Sequence, residues 1–148
     1  MISVAEAKAK ILQLATATAK ETIDLAAAAG RVLATEVRSQ RAQPPFPSSA
    51  MDGYAVTEAA PGDTLAVIGQ AAAGARFDGT LSKGQAVRIF TGAVVPQGAT
   101  RVIIQEDVHR FGTQITLSPN VDSATYIRPR GTDFQLSLIH ISEPTRPY

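Results

Sequence analysis

The chain has 148 residues, enough for one compact domain or a small domain with part of another, and too few for a complete large enzyme. Hydrophobic residues make up 45% and charged residues 18%, which excludes general disorder, and with aromatics at 5% the core must be built from Ala, Val, Ile and Leu. The 14 Lys and Arg against 13 Asp and Glu leave +1 with no basic block, against nucleic-acid or anionic-lipid binding, and zero cysteines rule out disulfides, a thiolate nucleophile and a Cys-based zinc site.

Ser3 and Glu6 form the capping-box pattern S-x-x-E, and Val4, Ala7, Ile11, Leu14 and Ala15 follow at helical spacing, so a helix is expected from about Val4 to Ala17. The opening "MISVAEAKAK" has no signal-peptide core, and no run of about 20 apolar residues could span a bilayer, so the reading is a cytoplasmic chain without a membrane segment. In "ETIDLAAAAGRVLATEV", Asp24 is a candidate cap for a second helix through Leu25, Ala28, Val32 and Leu33. Gly30 would cost that helix about 1 kcal/mol relative to Ala, which close packing against a neighbouring backbone would explain. Residues 1–43 are thus expected to form a helical arm.

The texture changes in "RAQPPFPSS", where prolines forbid a central strand and favour an extended connector. Beyond it "DTLAVIG", "GQAVRIF", "TRVIIQEDV" and "TQITL" alternate with glycines, the pattern of a small β-barrel or sandwich over residues 44–127. Residues 128–135 read as a connector back towards the arm. The last stretch, "LSLIHISEPTRPY" at 136–148, shows no helical period or paired-strand pattern and reads as a non-native tail. The expected fold class is therefore α+β: an N-terminal helical arm followed by a small glycine-rich β-barrel-like domain.

Asp-Gly occurs twice, at Asp52-Gly53 and Asp78-Gly79, and between β-prone flanks this pair favours the positive φ of a type I′ hairpin turn. On spacing alone both aspartates are turn residues. Thr91 and Gly92 end a strand run, where a hydroxyl and neighbouring N–H groups could cradle an oxyanion, although on the residues alone a plain tight β-corner is the favoured reading, since such corners are common turn chemistry. Arg128 and Arg130 stand two apart, so in an extended segment both guanidinium groups face one side and could grip a phosphate or carboxylate; a solvated connector is the ordinary alternative. Asp133 caps or turns unless a site recruits it. Histidine occurs only at His109 and His140, too few for a metal cluster or a confident Ser-His-Asp triad, and no Walker or Rossmann fingerprint is present.

Taken together and in order, "PPFPSSAMDGYAV", "RIFTGAVVPQGATRVIIQED" and "IRPRGTDF" resemble the N-terminal part of the molybdopterin molybdenumtransferase (MoeA) family, related to the E domain of gephyrin. The resemblance covers about residues 1–135, and "SAMDGYA" and "TGAVVPQGA" are its most specific parts. It implies insertion of molybdate into adenylylated molybdopterin with release of AMP, in a magnesium-dependent reaction at a homodimer cleft between this β domain and the partner's pterin-binding domain. Matched motif to motif, Asp52 is implied as a site carboxylate and magnesium ligand, Thr91 with Gly92 as an oxyanion contact, and Asp133 as a second carboxylate. Arg128 and Arg130 are added on physical grounds as anion contacts. Thr100 stands where the family often has an acidic residue, and Pro129 separates the two arginines. The pterin-binding domain is not in the chain, so the chain alone is expected to be inactive. The rival readings are a non-catalytic dimerisation or scaffold module of gephyrin type and, less well supported, an oligonucleotide-binding barrel, which would need an aromatic platform and a basic groove.

Overall fold

The structure is a computed structural model that describes residues 2–16 and 18–136. The chain divides into two compact units, one ending at Val37 and one beginning at Arg38, so the proline connector belongs with the second.

The first unit holds one helix, α1 (Val4–Leu14). Its capping box forms as expected: the Glu6 N–H donates to Ser3 Oγ at 3.2 Å and the Ser3 N–H to Glu6 Oε2 at 2.8 Å. The helix ends three residues short of the expected Ala17, because Ala15 is already extended at the C-cap. The second expected helix does not form; only a single 3-10 turn, Leu25–Ala27, stands in its place. Asp24 makes no side-chain cap bond, and Gly30 takes φ +74, where the chain turns away from a helical path. The close packing expected at Gly30 is also absent, since a Cβ there would meet nothing within 4 Å. The physical reason is that a short alanine-rich helix is marginal in water without a surface to bury its apolar side, and Leu25 and Val32 are 92% and 94% exposed.

The regular structure of the second unit is nearly all strand. In chain order its strands are β1 (Ser48–Ser49), β2 (Gly53–Val56), β3 (Thr64–Ala71), β4 (Gln85–Ile89), β5 (Arg101–Ile104), β6 (Val108–Phe111), β7 (Gln114–Leu117) and β8 (Ile127–Arg128). Six form one sheet in the order β5-β2-β4-β3-β7-β6, while β1 and β8 pair separately. Laid flat, a sheet of six strands would hold its edge strands about 24 Å apart, yet the edge strands β5 and β6 are joined by a link that reaches about 14 Å. That link is the three-residue 3-10 turn Gln105–Asp107, so the sheet must curl into a half-barrel.

Residue alternation explains why β2, flanked by β5 and β4, is dry on both faces. Tyr54 and Val56 of β2 join Leu65, Ala86, Ile103, Ile115 and Leu117 in one cluster, while Ala55 joins Ala71, Val87, Ile89 and Val102 in another. Strands buried on both faces read as continuous apolar runs, as "GYAV" does. The small residues Ala55, Ala71 and Ala86 let layers approach where aromatics are scarce, and each is 0% exposed.

Neither Asp-Gly pair is a hairpin turn. β3 and β4 run parallel, so Asp78 and Gly79 lie within the crossover between them, not between antiparallel neighbours. Gly79 is small because the Phe77 ring lies against it: a Cβ would sit 2.6 Å from that ring, and one on Gly69 would sit 2.5 Å from it. Asp78 forms an exposed ion pair with Arg76 at 2.7 Å. At the other pair, Gly53 opens β2 and is squeezed between strands, since a Cβ there would come within 2.0 Å of the Ile103 carbonyl oxygen. Close approach, not positive φ, is what demands glycine at both places.

Candidate functional site: an aspartate held by a threonine corner

The proline-rich connector threads between two other segments. The Val95 N–H donates to the Pro47 carbonyl at 3.0 Å, Ser49 exchanges backbone bonds with Gly92 and Ala93, and β1 pairs with β8 through Ser48 with Arg128 and Ser49 with Ile127. Further back, the Asp133 N–H donates to the Gln43 carbonyl at 2.9 Å. The extended course expected of the connector holds only in part: the chain bends through residues 44–46 after a cis Gln43–Pro44 bond, and it is Ser48 and Ser49 that run extended and pair with β8. Ser49 is 1% exposed, and its hydroxyl donates to the Met51 carbonyl at 2.6 Å, tightening the turn that leads into Asp52.

Residues 90–93 form a turn closed by the Ala93 N–H on the Phe90 carbonyl at 3.0 Å, with Gly92 at φ +81 in the position that a type II turn reserves for glycine. This corner aims Thr91 at Asp52. The Thr91 N–H and its Oγ1 hydroxyl both donate to Asp52 Oδ1, each at 2.8 Å. The backbone N–H of Thr91 and then its hydroxyl hold the Asp52 carboxyl below the ordinary carboxylate range against the opposing effect of burial, with the charge of Arg88 the smallest contribution. Asp52 is therefore an anion at neutral pH, with Oδ2 left without a donor among the described residues. The Gly92 N–H is taken by the Ser49 carbonyl at 2.9 Å. The donors of the Thr-Gly corner are directed at Asp52 and Ser49, not outward to an oxyanion.

Arg88 and Gln105 complete the surroundings. The Arg88 guanidinium lies over the Tyr54 ring at 5.1 Å and the Phe90 ring at 4.6 Å. Its Nη1 donates to the Gly53 carbonyl at 3.1 Å and its Nη2 to Gln105 Oε1 at 2.7 Å, while the Gln105 N–H donates to the Asp52 carbonyl at 3.1 Å. Sequence reasoning missed both residues. The signal was a lone arginine inside the apolar run "QAVRIF", two positions from Phe90 and so on the same strand face.

The remaining expected site residues gather elsewhere. Arg128 forms an ion pair with Asp133, which occupies the carboxylate implied as the second of the site. The extended geometry expected to put Arg128 and Arg130 on one side does not hold, because residues 129–132 form a turn: the Thr132 hydroxyl donates to the Pro129 carbonyl at 2.7 Å and Gly131 takes φ +78. Arg130 instead lines a shallow depression with Ala42, Gly131, Gln135 and Leu136. His109 is exposed on β6; His140 and the stretch read as a foreign tail, apart from Leu136, lie outside the described residues. Among the described residues no group of three His, Cys, Asp or Glu could hold a metal, and no helix is long and apolar enough to cross a membrane.

The second unit is thus a curled, glycine-rich β domain in which a partly buried, ionised aspartate is held by a threonine corner. A family model described as the MoeA N-terminal region (domain I and II) matches residues 2–146, and the chain belongs to this family. It is 37% identical over 122 residues to a molybdopterin molybdenumtransferase of Nostoc sp., covering 78% of this chain and 28% of the relative. It is 40% identical over 111 residues to that of Haemophilus influenzae, covering 73% and 28%. Among solved structures, a molybdopterin biosynthesis MoeA protein from Pyrococcus horikoshii superposes with a TM-score of 0.73 at 32% identity, over 82% of this chain and 34% of that one. The chain thus spans about a third of the length of the relatives it matches.

Proposed function

We propose that this chain is the N-terminal part of a molybdopterin molybdenumtransferase, contributing to the insertion of molybdate into adenylylated molybdopterin with release of AMP. The observation that carries the reading is Asp52: ionised, fixed through Oδ1 by Thr91, and open at Oδ2. A magnesium ion habitually takes one or two carboxylates and fills its other positions with water and substrate phosphates, so a lone carboxylate with a free oxygen fits that donor set. When bound, the ion would supply charge stabilisation at the phosphoanhydride oxygens. Asp52 holds its oxygen in place for that cation, and Thr91 and Gly92 shape the corner around it. Asp133 enters this reading through its pair with Arg128, whose remaining donors, with those of Arg130, serve as anion contacts.

The chain spans only about a third of the length of its relatives. An open surface cannot exclude water or preorganise donors around a transition state, so we assign activity to the longer protein acting as a homodimer in the cytoplasm and none to these residues alone. The experiment is AMP release from adenylylated molybdopterin by a full-length version. Asp52→Asn, which keeps shape and removes charge, is expected to abolish it, while Asp78→Ala, whose carboxylate only pairs with Arg76, leaves it near wild type. Equal losses at the two aspartates would remove the basis of the assignment.

A further inference from the structure

We propose that Arg88 is a positioning residue that locks the Asp52 turn, acting through its two-pronged bridge between Gly53 and Gln105. Asp52 is fixed at three points. Its side chain is held by Thr91, its own carbonyl accepts the Gln105 N–H at 3.1 Å, and the next carbonyl, that of Gly53, accepts Arg88 Nη1 at 3.1 Å. The same guanidinium reaches Gln105 Oε1 through Nη2 at 2.7 Å, so one planar group ties together both backbone anchors of the aspartate.

The guanidinium itself has little freedom to drift. Register places Arg88 of β4 directly opposite Tyr54 of β2, and Phe90 follows two residues later, just past the end of β4, so the cation rests against two rings. Gly53 adds the last constraint, since its close approach to Ile103 leaves β2 no room to shift towards β5. A lysine could keep the charge but not the fork, because a single ammonium does not present two parallel donors while stacking its plane on aromatic faces.

The test is amide hydrogen exchange on the 148-residue chain, comparing wild type with Arg88→Met, Arg88→Lys and Gln105→Ala. Exchange at the Thr91 and Gln105 amides is expected to accelerate about tenfold in all three variants, while the Leu117 amide, bonded to the Asp63 carbonyl, keeps its protection. Acceleration of all three amides together would show a role in bulk stability only, and full protection in Arg88→Lys would show that charge alone suffices. Either result, or no change at Thr91, overturns the proposal. Gln105→Ala leaves the ring stack intact and so keeps the test decisive if Arg88→Met does not fold. The catalytic corollary rests on the proposed function: in a full-length enzyme Arg88→Lys lowers kcat about a hundredfold with KM little changed. If no version of the enzyme releases AMP, the function fails and the exchange result stands.

Discussion

Thr91 gives both of its donors to a single oxygen of Asp52, across 39 residues of sequence, at 2.8 Å each. Half of that arrangement is backbone and survives any substitution that preserves the corner; the other half is a hydroxyl and does not. The consequence is a graded series of variants. Thr91→Ser keeps both donors and is expected to retain most AMP release in a full-length enzyme. Thr91→Val keeps only the N–H and is expected to lose about tenfold to a hundredfold, the usual cost of removing an outer partner that orients a ligand. A Thr91→Val enzyme as active as Thr91→Ser would show that the hydroxyl has no part in holding the carboxylate.

Gly53 and Gly79 make a matched pair for stability. At Gly53 an added methyl group runs into the Ile103 backbone at 2.0 Å, and neither strand can yield without breaking the β2–β5 ladder. At Gly79 the obstacle is the edge of the Phe77 ring, a side chain and not backbone, which gives way only in part because Gly69 backs its other edge. Gly53→Ala is expected to cost about 3 kcal/mol, as overpacking against rigid neighbours does, and Gly79→Ala about 1 kcal/mol. Urea midpoints of the two variants decide the matter, and similar shifts would mean that β2 and β5 adjust to each other.

How far the sequence predicted these features depends on the range of the interaction involved. The Ser3–Glu6 cap, the strand runs and the Thr91–Gly92 corner are all set by residues within a few positions of one another, and their sequence signals hold. The Asp-Gly pairs do not, because whether such a pair closes a hairpin depends on which strand comes next to it, and β3 and β4 turn out parallel. The failed second helix is a related case: its apolar spacing was present, but nothing buries Leu25 or Val32. The motif singles out Asp52, yet its partner Thr91 and bridge Arg88, at the end of β4, and its brace Gln105, after β5, come from two other stretches of chain that only the curled sheet brings to one corner.

Helix α1 offers a local test that is independent of the site. It buries none of its residues, so its stability rests on the capping box and intrinsic propensity. Ser3→Ala removes the acceptor of the Glu6 N–H and is expected to cost the helix about 1 kcal/mol. In the circular dichroism of a peptide covering residues 2–16 this appears as a marked fall in helicity at low temperature, with Ser3→Asp close to the parent. Equal helicity in Ser3→Ala would show the box contributes nothing outside the full chain.

Asp122 and Tyr126 give the pH prediction. The Tyr126 hydroxyl donates to Asp122 Oδ2, with the Ala124 N–H donating to Oδ1 at 2.8 Å. The tyrosine hydrogen bond, then the Ala124 N–H, lower the Asp122 carboxyl from its ordinary 3.8, and the same bond to Asp122, then burial, raises the Tyr126 phenol from its ordinary 10.0. A lowered acid contributes stability above its unfolded value, lost as pH falls through the folded one; a raised phenol contributes stability below its unfolded value, lost as pH rises through the folded one. The bond therefore stabilises the chain between about pH 4 and pH 10 and weakens on both sides. This loop matters beyond itself, because Tyr126 sits at φ +50 with its carbonyl accepting the Ala50 N–H at 2.9 Å, two residues before Asp52. Tyr126→Phe is expected to lower the thermal midpoint at pH 7 and to lose little further at pH 10.5, so the gap between the two proteins narrows as the wild-type phenol ionises. A gap that stays constant across that range would show that the phenol–carboxylate bond does not form in solution.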